Sequence, residues 1–224
     1  IHDIISQKNQ RLLVATSNGI LSYDIQTGLW RDELLPRIEA TAIKIDSAGY
    51  LWVGTAGQGV FRAETRGNSF LNVTNIAAKD GVSDNVVNVL EQMADGSVWV
   101  ATTNGASIFS DPNELIFTNI STSSSPQNST ISDAIITLFN TASGLILFGT
   151  SAQGFGVLDT NSTMFTNLGL EQGQFYYFVA KQADDTLWLS TKSGVLKLNT
   201  DYSVEGPWKY EKDSQSATKM RSLV

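Results

Sequence analysis

The sequence predicts an all-β chain, a β-propeller of four-stranded blades. Three observations lead there: a fivefold repeat, residue columns that agree across its copies, and the absence of a competing helical period. The repeat shows when segments ending in threonine are aligned: Leu12 to Thr16 (LLVAT), Leu51 to Thr55 (LWVGT), Val98 to Thr102 (VWVAT), Ile146 to Thr150 (ILFGT) and Leu187 to Thr191 (LWLST). Successive threonines are 39, 47, 48 and 41 residues apart. Six residues before the threonine stands Gly49, Gly96 or Gly144 in three copies, with Gln10 and Asp185 in the others. Three or four residues after it stands Gly19, Gly59, Gly105, Gly154 or Gly194. Twelve before it is always aliphatic (Ile4, Ile43, Leu90, Leu138, Val179), and about fifteen after it is an aromatic (Trp30, Phe70, Phe117, Phe165, Trp208).

Within a unit the elements follow in order. In the third copy the apolar run 85–92 (NVVNVLEQ) is strand one, and a turn at Ala94, Asp95 and Gly96 leads into strand two at 97–102. A second glycine turn, tolerant of positive φ, leads into strand three near 106–109, and the aromatic run 115–120 is strand four. Such a unit cannot bury its faces alone, so the copies must pack face to face, with Trp52, Trp99 and Trp188 wedged between blades. The expected blades are 1–37, 38–83, 84–131, 132–173 and 174–216, and 217–224 (ATKMRSLV) reads as the inner strand of a further unit.

The segments DSAGYLWVGTAGQGVF, ADGSVWVATTNGASIF and ADDTLWLSTKSGVLKL, with GVSDNVVNVLEQ before the third strand pair, resemble the two-component-regulator propeller repeat. The resemblance covers essentially the whole chain. The first copy departs from it with Leu13 in place of Trp, and the fourth with Leu147 and Phe148. The resemblance implies a periplasmic, ligand-sensing propeller of a bacterial receptor, joined through a membrane helix outside this chain to a histidine kinase or a diguanylate cyclase. It also implies rings of seven or more blades, so the five repeats are expected to be part of a larger ring. A five-bladed ring with an overlapping tail strand is the alternative.

Composition removes other classes. There is no cysteine, and the only histidine is His2, which leaves no thiol nucleophile, no zinc-thiolate site and almost no His-dependent catalysis. A net charge of -7 argues against a nucleic-acid partner, which needs clustered cations. The longest apolar stretches, such as 175–180, fall far short of the roughly 20 residues of a membrane helix. Gly149 to Gly154 (GTSAQG) has the outline of a phosphate loop but lacks its lysine, and KDGVSDN fails the calcium-loop spacing. Sequons at Asn72, Asn119, Asn128 and Asn161 are expected by chance in a chain this rich in Asn, Ser and Thr. No cofactor, metal or catalytic group is expected.

In a four-stranded meander the turn between strands two and three shares a face with the connection to the next blade. Those connections are long and unequal, whereas the opposite turns are short and alike, and variable loops on a rigid scaffold are where binding residues usually sit. The candidate ligand-binding residues on that face are Arg37, Glu39, Asp84, Asn85, Asp133, Gln174 and Tyr176, with Gln58, Asn104, Gln153 and Lys192 from the tight turns. Each has a plainer reading. Tyr176 and its aromatic neighbours either stack on sugar rings or fill a core. Asp84, Asn85 and Asp133 either line a polar funnel or cap turns. Arg37 and Lys192 either hold an acidic ligand or are solvated.

The leading functional expectation is a binding module for a small molecule, an oligosaccharide among the candidates. A protein-interaction scaffold, including a homodimer, is the second. The third is an enzyme like the streptogramin lyases, whose chemistry would have to come from carboxylates such as Glu39, Asp84 and Asp133.

Overall fold

The structure is a computed structural model. It describes residues 1–7, 10–111, 113–120, 134–141, 145–151, 154–159, 164–167, 176–182, 186–191, 194–199 and 203–208. Strands dominate, as the alternating β-branched and aromatic runs require. The first sheet comprises β1 (Asp3–Gln7), β2 (Arg11–Thr16), β3 (Gly19–Asp24) and β4 (Trp30–Leu34). The second comprises β5 (Ala40–Ile45), β6 (Tyr50–Thr55), β7 (Val60–Arg66) and β8 (Ser69–Ile76). The third comprises β9 (Val87–Gln92), β10 (Val98–Thr102), β11 (Gly105–Asp111) and β12 (Ile116–Ile120). In the fourth are β13 (Ile135–Asn140), β14 (Leu145–Thr150), β15 (Phe155–Asp159) and β16 (Met164–Asn167). The fifth holds β17 (Tyr176–Lys181), β18 (Leu187–Thr191), β19 (Gly194–Leu198) and β20 (Val204–Trp208). Each is an antiparallel meander in sequence order. The sheets are separate, and no pairing joins the fifth to the first among the described residues. One 3-10 turn, Ala78–Asp80, interrupts the connection between the second and third sheets and was not expected from the sequence.

Neighbouring sheets share their cores. One face of the second sheet (Ala42, Trp52, Val60) packs on Leu90, Val98, Val100 and Phe109 of the third. The same columns recur between the third and fourth sheets, where Trp99 and Ala101 meet Leu138, Ile146 and Phe148. The expected wedge is therefore present at Trp52 and Trp99, both buried. Trp188 is half-buried instead, because it lies on the forward face of the fifth sheet, and it stacks on Trp208 with ring centroids 5.4 Å apart. The first sheet shows the converse at its outward face. Ile4 is 50% exposed and Trp30 55%, whereas Ile43 and Leu90, in the column of Ile4, are buried by a preceding sheet.

The residue immediately before each repeat threonine is small: Ala15, Gly54, Ala101, Gly149 or Ser190. The inner strand of the next sheet crosses close by. A Cβ at Gly54 would stand 2.5 Å from Val87 Cγ1. The fourth copy's departure from the repeat is compensated inside its own sheet. Phe148 lies opposite Gly156, and a Cβ there would stand 2.7 Å from its Cε2, whereas in the second sheet Val53 lies opposite Phe61. Relative to the second sheet, small-opposite-large has been exchanged for large-opposite-small, which keeps the packed volume.

The outer turn of the first sheet is closed by Asp24. Its Oδ1 accepts the N–H of Thr27 at 2.8 Å and of Gln26 at 3.0 Å. The backbone bond from Thr27 is the main reason its carboxyl is held below the usual value.

Candidate functional site

The face carrying the β2–β3, β6–β7, β10–β11, β14–β15 and β18–β19 turns is built on the repeat threonine. Its hydroxyl donates across the turn to a glycine carbonyl in all five copies: Thr16 to Gly19 at 2.8 Å, Thr55 to Gly59 at 2.7 Å, Thr102 to Gly105 at 3.1 Å, Thr150 to Gly154 at 3.1 Å and Thr191 to Gly194 at 2.8 Å. In three copies the same oxygen also accepts a turn amide, from Asn18, Gln58 or Asn104. The best-matched column of the repeat is thus a turn lock. The amide just after the threonine then ties the turn to the connection preceding its own sheet: Ala56 to Glu39 O, Thr103 to Val86 O and Ser151 to Ala134 O, at 3.0–3.1 Å.

On this rigid rim the structure brings Glu39 and Gln58 together. They line an open cavity of about 310 Å³ with Ile38, Thr55, Ala56 and Gly57. Arg37 lies two residues before Glu39 and is exposed, and its backbone N–H is held by Asn18 Oδ1 at 3.1 Å. Leu35 and Arg37 both have positive φ, 55° and 68°, on either side of Pro36, so this connection holds two non-glycine residues in the left-handed region. His2 Nε2 stands 3.4 Å from Glu39 Oε1. Neither Asn18 nor His2 was picked out by sequence reasoning. Asn18 follows Ser17 in a tight turn like any surface asparagine, and His2 is 37 residues from Glu39 in the chain.

Asp84 and Asn85 make the bonds expected of turn caps. Asp84 Oδ1 accepts Val86 N–H at 3.1 Å. Asn85 Oδ1 accepts Ala78 N–H at 2.7 Å, and its carbonyl takes Gly59 N–H at 2.8 Å. Asn85→Ala is expected to lower stability by about 1 kcal/mol and to speed proteolysis within 77–86, which limited digestion followed by mass spectrometry would measure. Asn104 Nδ2 lies 3.5 Å from Ser83 O, on the rim of the same connection. Ser83 itself joins a chain of hydroxyls through Thr102 Oγ1 at 3.0 Å and Ser107 Oγ at 3.2 Å, and Ser107 continues to Asn119 Oδ1 at 2.6 Å. This network pins the long connection to the third sheet. Asp133, Gln153, Gln174 and Lys192 lie outside the described residues, as do Phe175 and the tail 217–224. Tyr176 begins β17, and only its backbone is described.

Among the described residues no three His, Asp or Glu side chains gather as a metal site would require. No helix among them is long and apolar enough to cross a membrane.

No protein-family model and no curated protein matches the chain. Solved structures do. The extracellular domain of the hybrid two-component system BT4673 from B. thetaiotaomicron superposes with a TM-score of 0.82 at 18% identity, over 97% of this chain and 29% of that one. That of BT3049 from the same organism matches at 0.68 and 20%, over 85% of this chain and 25% of that one. Virginiamycin B lyase from Staphylococcus aureus matches at 0.66 and 13%, over 90% of this chain and 67% of that one. The chain spans less than a third of the length of the two-component domains it matches. What it shares with these proteins, on the strength of its five packed four-stranded meanders, is a propeller-like, all-β fold.

Proposed function

We propose that the chain is part of the extracytoplasmic sensor propeller of a bacterial signal-transduction receptor of the two-component-regulator propeller type, and that it binds a small polar ligand on the face bearing Arg37, Glu39 and Gln58. The observation that carries this reading is the superposition of 97% of the chain on the extracellular domain of a hybrid two-component system. The repeat motifs in the sequence support it independently. The cavity suits a neutral, hydroxyl-rich ligand. Glu39 supplies an acceptor, and the Gln58 amide both donates and accepts, so between them they can pair with vicinal hydroxyls. An oligosaccharide meets that description. Signalling requires the ligand to prefer one arrangement of the receptor over another, since equal affinity for both shifts nothing.

Thermal unfolding with a panel of oligosaccharides tests the reading. A ligand present at about 100 times its Kd stabilises by about 2.7 kcal/mol, which raises Tm measurably. Glu39→Ala combined with Gln58→Ala is expected to abolish that shift, read against the ligand-free Tm of the same variant. A panel that moves no Tm, or a shift that survives the double substitution, overturns the assignment.

A further inference from the structure

We propose that one bulged position latches the inner strands to one another, alongside bonds such as Ile43 N–H to Asp3 Oδ2 and Lys44 Nζ to Glu91 Oε1, and that among the described joints the one between the fourth and fifth sheets lacks this latch and is the more compliant, because the position is filled there by Ile136.

In each of the last four sheets the innermost strand carries one extra residue opposite the end of its partner. The ladder skips Thr41 between Ala40 and Ala42, Asn88 between Val87 and Val89, Ile136 between Ile135 and Thr137, and Tyr177 between Tyr176 and Phe178. These four residues stand fourteen before the repeat threonine, and His2 occupies the same column in the first copy. A bulge turns its side chain out of the sheet's alternation and re-aims it. At Thr41 and Asn88 the new direction is towards the next inner strand. Thr41 Oγ1 donates to Val87 O at 2.6 Å, and Asn88 Nδ2 donates to Ile135 O at 2.9 Å. In both cases the acceptor is the residue just before the next bulge. His2 reaches across its own joint to the Glu39 carboxylate, in the residue before Ala40. The first three joints therefore each carry a polar side chain crossing from one inner strand to the segment leading into the next. At the fourth joint β17 packs on β13, but the residue at the bulge has no hydrogen-bonding group, and the carbonyl in the acceptor column is that of Tyr176. Apolar packing is non-directional, so it tolerates sliding that a hydrogen bond resists.

The mechanical difference stands without the sensor reading; its use in passing on a ligand-induced change rests on that reading. Hydrogen–deuterium exchange on the 224-residue chain without ligand tests it. Ile136→Asn is compared with Ile136→Leu, which has the same shape as Asn and no donor. Exchange across 176–181 is expected to slow about fivefold in the Asn variant relative to the Leu variant, as one added hydrogen bond implies. Equal exchange in the two overturns the compliant joint. Asn88→Leu is expected to speed exchange across 135–140 by a similar factor, and unchanged exchange there overturns the latch itself. If Asn88→Leu does not fold, Thr41→Val reads the equivalent bond through 87–92. None of these readouts involves a ligand, so they fail independently of the oligosaccharide experiment.

Discussion

Trp52→Ala is expected to lower the free energy of unfolding by about 4 kcal/mol, read as a fall in the urea midpoint at unchanged slope. Trp52 is completely buried between the second and third sheets, with its ring 5.0 Å from that of Phe109, which in turn stacks on Phe117 at 4.9 Å. Removing it empties the centre of that joint. It also takes away the indole N–H that Asp46 Oδ2 accepts at 2.7 Å. The Asp46 carboxylate is only 4% exposed and would keep a single donor, Tyr50 N–H at 2.8 Å on the other oxygen. Trp52→Phe separates the two contributions. It retains most of the apolar burial and loses the hydrogen bond to a charged group, so about 2 kcal/mol is expected. A loss below about 1 kcal/mol for the alanine variant would mean that the sheets are not joined through this side chain.

Gly59→Ala should cost about 3 kcal/mol, and Gly67→Ala only about 1. Both glycines sit in turns of the second sheet with positive φ, 75° and 60°. They differ in what surrounds them. A Cβ on Gly59 would collide with Ile76 O and come within 2.8 Å of Ala77 Cα, whereas one on Gly67 meets nothing within 4 Å. The first substitution therefore adds a backbone clash to the conformational strain, and it dislodges the connection at Ile76–Ala77 that Gly59 N–H helps anchor through Asn85 O. Equal losses at the two positions, measured by denaturant titration, would show that strain alone is at work.

The repeat was legible because its columns follow from local chemistry. A threonine that locks a glycine turn works the same way in every copy, and a strand that faces two neighbours needs the same alternation each time, so Thr16, Thr55, Thr102, Thr150 and Thr191 align without any knowledge of the fold. The strands of the third copy fall within two residues of where the sequence puts them. The candidate site was legible only as a face. Glu39 and Gln58 were placed on it by topology, and the structure brings them into one cavity. The capping bonds of Asp84 and Asn85 could not be told from a ligand role in sequence, because the same side-chain oxygens serve either purpose. Phe148 was legible as a departure from the repeat but its compensation by Gly156 was not, since the two residues are eight apart in the chain and directly opposite in the sheet.

The all-β class, the five four-stranded units, the threonine and glycine columns of the turns, and Trp52 and Trp99 at the joints could all be read before any fold was known. All of these arise from interactions within one repeat, or from a demand that every repeat meets alike. Which polar side chains cross from one inner strand to the next, that His2 meets Glu39, and that the outward face carrying Ile4 and Trp30 differs from its counterparts emerge only when the sheets are assembled. Those outcomes depend on how separate sheets are set against each other. A bulge re-aims a side chain by an amount that residue identity does not encode, and burial of a repeated column is settled by whether a neighbouring sheet is there to cover it.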